Sequence, residues 1–219
     1  MSRTQRPLAE LRPLLGSALV CDALDALGAR HCALSVAFEP LDRRSLMVGR
    51  AFPVATELAD GPPEEPYVGL LAALDALGPD DVYVVSGAAR PDVALWGELL
   101  TTASVAAGAA GALCEGPVRD TQAIRALGFA CFAQGTLPYD INGRLEVVAH
   151  RVEIELDGRT IRPGQLIVGD ADGVVVVPEE LEAEAIERAV VKASAESGFR
   201  TAVANGMTPS EAFARHRVL

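Results

Sequence analysis

Arginine followed directly by aspartate, at the end of a run of small and apolar residues, is the most chemically suggestive feature of the chain. In GALCEGPVRD (residues 111–120), Arg119 offers a planar fork for a carboxylate and Asp120 a hard oxygen for a divalent cation. Two structural roles compete. Asp120 is a good N-cap for the following helix TQAIRAL, and Arg119 could pair with Glu115. A second candidate is LWGELL (residues 95–100). Gly97 permits close backbone approach, the amides opening the next helix favour an anion, and Glu98 sits in a first turn where the macrodipole favours it whatever its role.

Other chemistries are excluded by what is missing. No two glycines are separated by a single residue, so GxGxxG is absent, as are GxxxxGK[ST], HExxH and GxSxG. His31, His150 and His216 are scattered, without a carboxylate or serine at suggestive spacing. Cys21, Cys32, Cys114 and Cys131 form no CxxC pair and read as reduced thiols in apolar settings. The 19 basic residues include a single lysine, Lys192, far in sequence from both candidate segments. Chemistry through a lysine Schiff base is therefore disfavoured by composition.

These residues must be held by elements the sequence outlines. Its 219 residues are 50% hydrophobic and 22% charged, enough to bury a sizeable core. The net charge of −11 repels nucleic acid and anionic membranes. No apolar run reaches the roughly 18 residues of a membrane span, and the charged N-terminus does not read as a signal peptide, so a cytoplasmic protein is expected.

Apolar spacing predicts a helix over residues 8–28, a strand at 47–54, a helix at 67–77 and a strand at 81–86 closed by Gly87. ARPDVALWG (89–97) reads as a loop. A helix at 98–107, a strand at 111–116, a helix at 121–127 and a strand at 129–133 continue the alternation, which argues α/β. Beyond residue 145, VVAHRVEIELDGRTI reads as one hairpin and LIVGDADGVVVVP as another. A long amphipathic helix is expected from about 179 to 204. No linker interrupts the chain, so residues 1–219 read as a single domain with a mixed sheet.

Together, WGELLTTASVAAGAAGALCEGPVRD (96–120), FAQGTLP (132–138) and IRPGQLIVGDADGVVVVP (161–178) resemble the RraA-like family. That family comprises the class II 4-hydroxy-4-methyl-2-oxoglutarate and 4-carboxy-4-hydroxy-2-oxoadipate aldolases and the regulators of ribonuclease activity. The twenty residues between Glu98 and Arg119 match the family's acid-X20-Arg-Asp signature. The resemblance implies a mixed β/β/α sandwich of the swivelling-domain type, assembled as a homotrimer or dimer of trimers with sites between subunits. It implies a divalent-metal-dependent aldolase that cleaves a 4-hydroxy-2-oxo acid to pyruvate, with oxaloacetate decarboxylation as a side activity.

Carried onto this chain, the resemblance has Asp120 ligate Mg²⁺ (or Mn²⁺) and Arg119 bind the carboxylate and oxo group of a small anionic 2-oxo acid. Gly97, Glu98, Leu99 and Leu100 would cradle the substrate with backbone amides, and Glu98 would hold a metal-bound water or act in proton transfer. Glu196, on the C-terminal helix of a neighbouring subunit, would supply a further acid. Two departures stand out: the aldolases usually carry Asp where Glu98 stands, and the tail NGMTPSEAFARHRVL lacks their GELGLD-like ending. The family also implies two alternatives, a non-catalytic regulator that binds a ribonuclease or another protein, and an enzyme acting on a different oxo acid.

Overall fold

The structure, a computed structural model, describes residues 3–86 and 92–218. In chain order the elements are α1 (Leu8–Leu11), α2 (Ser17–Ala26), β1 (Glu39–Pro40), β2 (Met47–Leu58), α3 (Val68–Asp75), β3 (Asp81–Ser86), α4 (Glu98–Ala107), β4 (Gly111–Glu115), α5 (Thr121–Ala126) and β5 (Cys131–Ala133). There follow β6 (Leu145–His150), β7 (Ile154–Leu156), β8 (Arg159–Ile161), β9 (Leu166–Asp170), β10 (Gly173–Val176), α6 (Glu182–Ala204) and α7 (Pro209–His216).

The main sheet runs β1-β5-β4-β3-β2-β9-β10, with β6 also paired to β2. The four central strands β2 to β5 are mutually parallel, and β1, β6, β9 and β10 are antiparallel to their neighbours. One edge of the long strand β2 is divided between two partners: Met47–Arg50 pair with β9 and Val54–Leu58 with β6, with a bulge between Ala55 and Thr56.

The period-2 alternation of the strands divides the core between the two faces of the sheet. Tyr83, Val85, Ala112, Cys114 and Cys131 pack with Leu70, Trp96 and Ile124 of the α3, α4 and α5 region. Val82, Val84, Leu113 and Phe132 point the other way, onto Ile154, Leu156 and Ile161 of the small β7-β8 sheet. A further cluster packs α1, α2 and α6 over Val48, Leu166, Val168 and Val175. Sheet upon sheet with helices outside is the mixed α/β sandwich expected.

Several sequence expectations need correction. The helix expected over 8–28 is two helices, because Pro13 and Gly16 interrupt the hydrogen-bond ladder while leaving the apolar spacing intact. The hairpin expected from 145 is also divided. Asp157 and Gly158 do form a tight turn with φ of 53° and 69°, yet it joins only β7 to β8. Upstream of it, β6 leaves for the main sheet.

Strand β2 runs four residues past Val54 to reach β6, while the 129–133 strand begins only at Cys131. The long helix begins at Glu182 instead of 179. Helix α7 was not expected. It is opened by a capping box in which Thr208 and Glu211 each accept from the other's backbone. Gly87 and the first residues of the 89–97 loop lie outside the described residues.

The cysteines are free, with Cys32, Cys114 and Cys131 buried. Burial pushes the Cys114 thiol up, and hydrogen bonding with Cys131 pushes it further. Among the described residues, no helix is long and apolar enough to cross a membrane.

Candidate active site

Parallel strands leave a crevice beyond their C-terminal ends, where the connecting loops diverge. Here backbone hydrogen bonds lace those loops together. Leu95 donates to the Pro117 carbonyl (2.9 Å) and Arg119 to that of Trp96 (2.9 Å). Val118 donates to Gly135 (3.1 Å), Leu137 to Val118 (3.0 Å) and Ala94 to Tyr139 (2.7 Å). Segments after β3, β4 and β5 are thus brought side by side, although the chain separates them.

Trp96 anchors the first of these segments. It is buried between Tyr83 (ring centroids 4.8 Å apart) and Phe129 (6.1 Å), and its Nε1 donates to Thr101 Oγ1 at 2.8 Å. The Thr101 hydroxyl donates in turn to the Gly97 carbonyl (3.0 Å), fixing the turn into α4. At Gly97 the backbone is extended, so its requirement is for space. A Cβ there would stand 2.8 Å from Asp120 Oδ2 and 3.3 Å from Arg119 Nε.

Asp120 occupies the N-cap position of α5, but its side chain makes no capping bond there. The backbone, at φ 56° and ψ 31°, is left-handed, and Oδ2 accepts from the Glu98 amide of α4 at 3.2 Å. The N-cap role is therefore not what the carboxylate does. The Glu115 pairing also does not form: Glu115 accepts from the Ser86 hydroxyl and from the Asp157 amide (2.6 Å). Arg119 instead has Nη2 at 2.7 Å from Asp140 Oδ2 and Nε at 3.6 Å from Asp120 Oδ2.

Asp140 and Tyr67 are the members that sequence reasoning missed. The Tyr67 hydroxyl donates to Asp140 Oδ1 (3.0 Å), as does the Asn142 amide (2.7 Å), and Arg144 donates to the Asp140 carbonyl (2.8 Å). Partial burial and the bond to Asp140 raise the Tyr67 pKa, keeping the phenol protonated. The turn-like DING sequence at 140–143 was a legible signal for Asp140's loop, but it carries no information about Arg119.

These residues border a cleft of about 320 Å³ between α3, α4 and the loop at 140–141. Gly97, Leu99, Leu100, Arg119 and Asp120 all line it. Glu98 stands beside it, with Oε1 accepting from Thr102 one turn along α4 (2.7 Å). Glu196 is elsewhere in the chain, on α6 and paired with Arg200 at 3.1 Å. Lys192 is also on α6, paired with Asp22 of α2.

Among the described residues, no three His, Cys, Asp or Glu side chains converge as a metal cage. The donor set suits a different kind of site. Asp120 is a half-exposed carboxylate on the cleft wall, and Mg²⁺ is commonly held by one or two carboxylates with water and ligand oxygens completing the shell.

The family model for RraA-like proteins, described as Aldolase/RraA, matches residues 17–176, and the chain belongs to that family. A protein of Halalkalibacterium halodurans that carries the provisional name 4-hydroxy-4-methyl-2-oxoglutarate aldolase is 29% identical over 194 residues, covering 89% of this chain and 87% of that one. Protein DlpA of Legionella pneumophila is 27% identical over 196 residues; they cover 90% of this chain but 31% of DlpA, so the chain spans under a third of that relative's length.

Among solved structures, an uncharacterized protein from Pseudomonas syringae pv. tomato superposes with a TM-score of 0.82 at 27% identity, covering 97% of this chain and 99% of that one. RraAS2 of Streptomyces coelicolor, described as an unusual member of the RNase ES inhibitor RraA family, superposes with a TM-score of 0.69 at 28% identity, covering 96% and 98%.

Proposed function

We propose that this chain is a divalent-metal-dependent aldolase that cleaves a 4-hydroxy-2-oxo acid to pyruvate, with oxaloacetate decarboxylation as a side reaction. One observation carries the reading: Asp120, placed to cap α5, turns its carboxylate to the start of α4 beside Arg119, on the wall of a cleft whose other side is mainly apolar. Family membership and the provisional name of the H. halodurans relative support it.

Retro-aldol cleavage needs a sink for the electron pair of the breaking C3–C4 bond. Lys192, the only lysine, is held by Asp22 away from this cleft in its own chain, which disfavours a Schiff base as that sink. When bound at Asp120, Mg²⁺ or Mn²⁺ supplies Lewis-acid stabilisation of charge on the 2-oxo oxygen. Arg119 binds the substrate's carboxylate through guanidinium N–H groups not used by Asp140. The Leu99 and Leu100 amides in the first turn of α4, which have no partner inside the helix, would be offered to the same negative charge, the Glu98 amide being taken by Asp120.

Glu98 takes up the C4 hydroxyl proton. The C3–C4 bond then breaks, its electron pair enters the pyruvate enolate, and C4 leaves as the carbonyl carbon of an aldehyde or ketone. A proton returned to C3 completes pyruvate. Oxaloacetate reaches the same enolate by losing CO₂. The proposal extends to a homotrimer or dimer of trimers in which Glu196 of a neighbouring copy approaches this cleft.

The test is pyruvate release from oxaloacetate and from 4-hydroxy-4-methyl-2-oxoglutarate, with Mg²⁺ and with EDTA. Release that EDTA abolishes and excess Mg²⁺ restores is the expected outcome. Failure to release pyruvate from oxaloacetate or from any 4-hydroxy-2-oxo acid refutes the reading.

A further inference from the structure

The cleft is chemically divided. Its charged lining residues, Arg119, Asp120 and Asp140, are linked in one corner by the 2.7 Å and 3.6 Å contacts already described. Apart from the Tyr67 phenol, which is bonded to Asp140, the side chains of the rest of the wall are mainly hydrocarbon, from Leu70, Leu71 and Leu74 of α3, Leu100 and Ala103 of α4, and Ile141. Helix α3 (VGLLAALD) has no charge before Asp75, and Leu71 keeps 54% of its surface exposed beside the cleft.

Charge counting then limits the ligand. Among the described lining residues Arg119 is the one cation, and two aspartates already stand beside it. The first carboxylate of a 2-oxo acid uses Arg119. A second carboxylate on C4, directed away from Arg119 and from a cation held at Asp120, would lie against the leucines of α3 and lose its water with no described cationic side chain there to replace it. An alkyl group in the same place exchanges water for leucine side chains.

We infer that the preferred substrate is a 4-hydroxy-2-oxo acid whose C4 substituent is apolar, seated between α3 and α4, so that cleavage releases pyruvate and an apolar aldehyde. This rests on the aldolase reading and narrows it. The reaction balances as above: the C4 hydroxyl loses its proton, C4 becomes the aldehyde carbon, and the bonding pair is protonated at C3.

Three substrates differing only at C4 test it: 4-hydroxy-2-oxoglutarate (carboxylate), 4-hydroxy-2-oxopentanoate (methyl) and 4-hydroxy-2-oxooctanoate (butyl), with oxaloacetate as control. Each methylene buried is worth up to roughly fourfold in kcat/KM, so butyl over methyl has a ceiling of about 60-fold. At least tenfold is expected, with the carboxylate compound poorest. Leu71→Arg, at an exposed helix position, should reverse the order of butyl and carboxylate, and Leu71→Ala should lower butyl alone.

A wild-type preference for the carboxylate, failure to cleave the butyl compound, or a ratio unmoved in folded Leu71→Arg overturns the inference while oxaloacetate turnover keeps the aldolase reading. Silence towards all four compounds overturns both.

Discussion

Asp120 combines a backbone requirement with a chemical one, and two substitutions separate them. At φ 56° and ψ 31°, an alanine would carry the left-handed penalty of about 1–2 kcal/mol, whereas asparagine tolerates this region. The carboxylate's bond to the start of α4, 3.2 Å long at a half-exposed position, is worth about 0.3–1 kcal/mol. An asparagine oxygen can still accept it. Asp120→Asn should therefore lose less than about 1 kcal/mol and Asp120→Ala about 1.3–3 kcal/mol. For a chain of this size these correspond to melting shifts of at most roughly 4 °C and of about 3–12 °C.

Activity should follow neither shift. Both variants lose the negative oxygen that would hold the cation, and removal of one such electrostatic contributor commonly costs about 10²–10³ in rate. Thermal melts together with pyruvate release from oxaloacetate across a Mg²⁺ titration read the two effects separately. Asp120→Asn that keeps more than about a third of wild-type turnover refutes the catalytic assignment. Asp120→Ala as stable as Asp120→Asn refutes the backbone argument.

Gly97→Ala places a methyl 2.8 Å from Asp120 Oδ2 on a backbone that accommodates any residue, so turnover should fall at least tenfold with little change in melting temperature; an active Gly97→Ala enzyme would show that the Asp120 position is not demanding. Glu182 is fully buried, holds Arg50 through two bonds of 2.7 and 2.9 Å and accepts from the Thr4 amide. Glu182→Ala leaves that arginine uncompensated and should destabilise by about 3–5 kcal/mol, seen as a lowered denaturant midpoint. A loss below about 1 kcal/mol would mean that water replaces the carboxylate freely.

What the sequence made legible was local. The β/α alternation from β2 to β5 is written in short β-branched or small-residue strands such as DVYVVS, and in glycines such as Gly108 and Gly128 that end helices in left-handed geometry. Arg119, Asp120, Gly97 and Glu98 were legible as two segments at a family spacing, though not as a contact. Tyr67 and Asp140 were silent, since a bond across 73 positions depends on how loops are laced and not on periodicity. The break between α1 and α2 was readable in Pro13, yet apolar spacing runs through it. The parting of β6 from β7 was hidden because both strands alternate, and a partner 90 residues upstream leaves no mark on either.

The shared edge of β2 gives the chain a timetable for folding during synthesis. Residues 67–141, which contain the whole cleft, can assemble from near neighbours, because β2 to β5 are joined by short helical crossovers. The other edge of β2 waits for β6 and β9, whose residues follow about a hundred positions later. At about 5–20 residues per second, that edge is open for roughly 5–20 s on every ribosome. A nascent chain thus holds a nearly formed site on a sheet with a bare, largely apolar flank, the kind of surface that recruits other strands. Substitutions in β9 should consequently appear first as lost yield, in chains whose site residues are all intact.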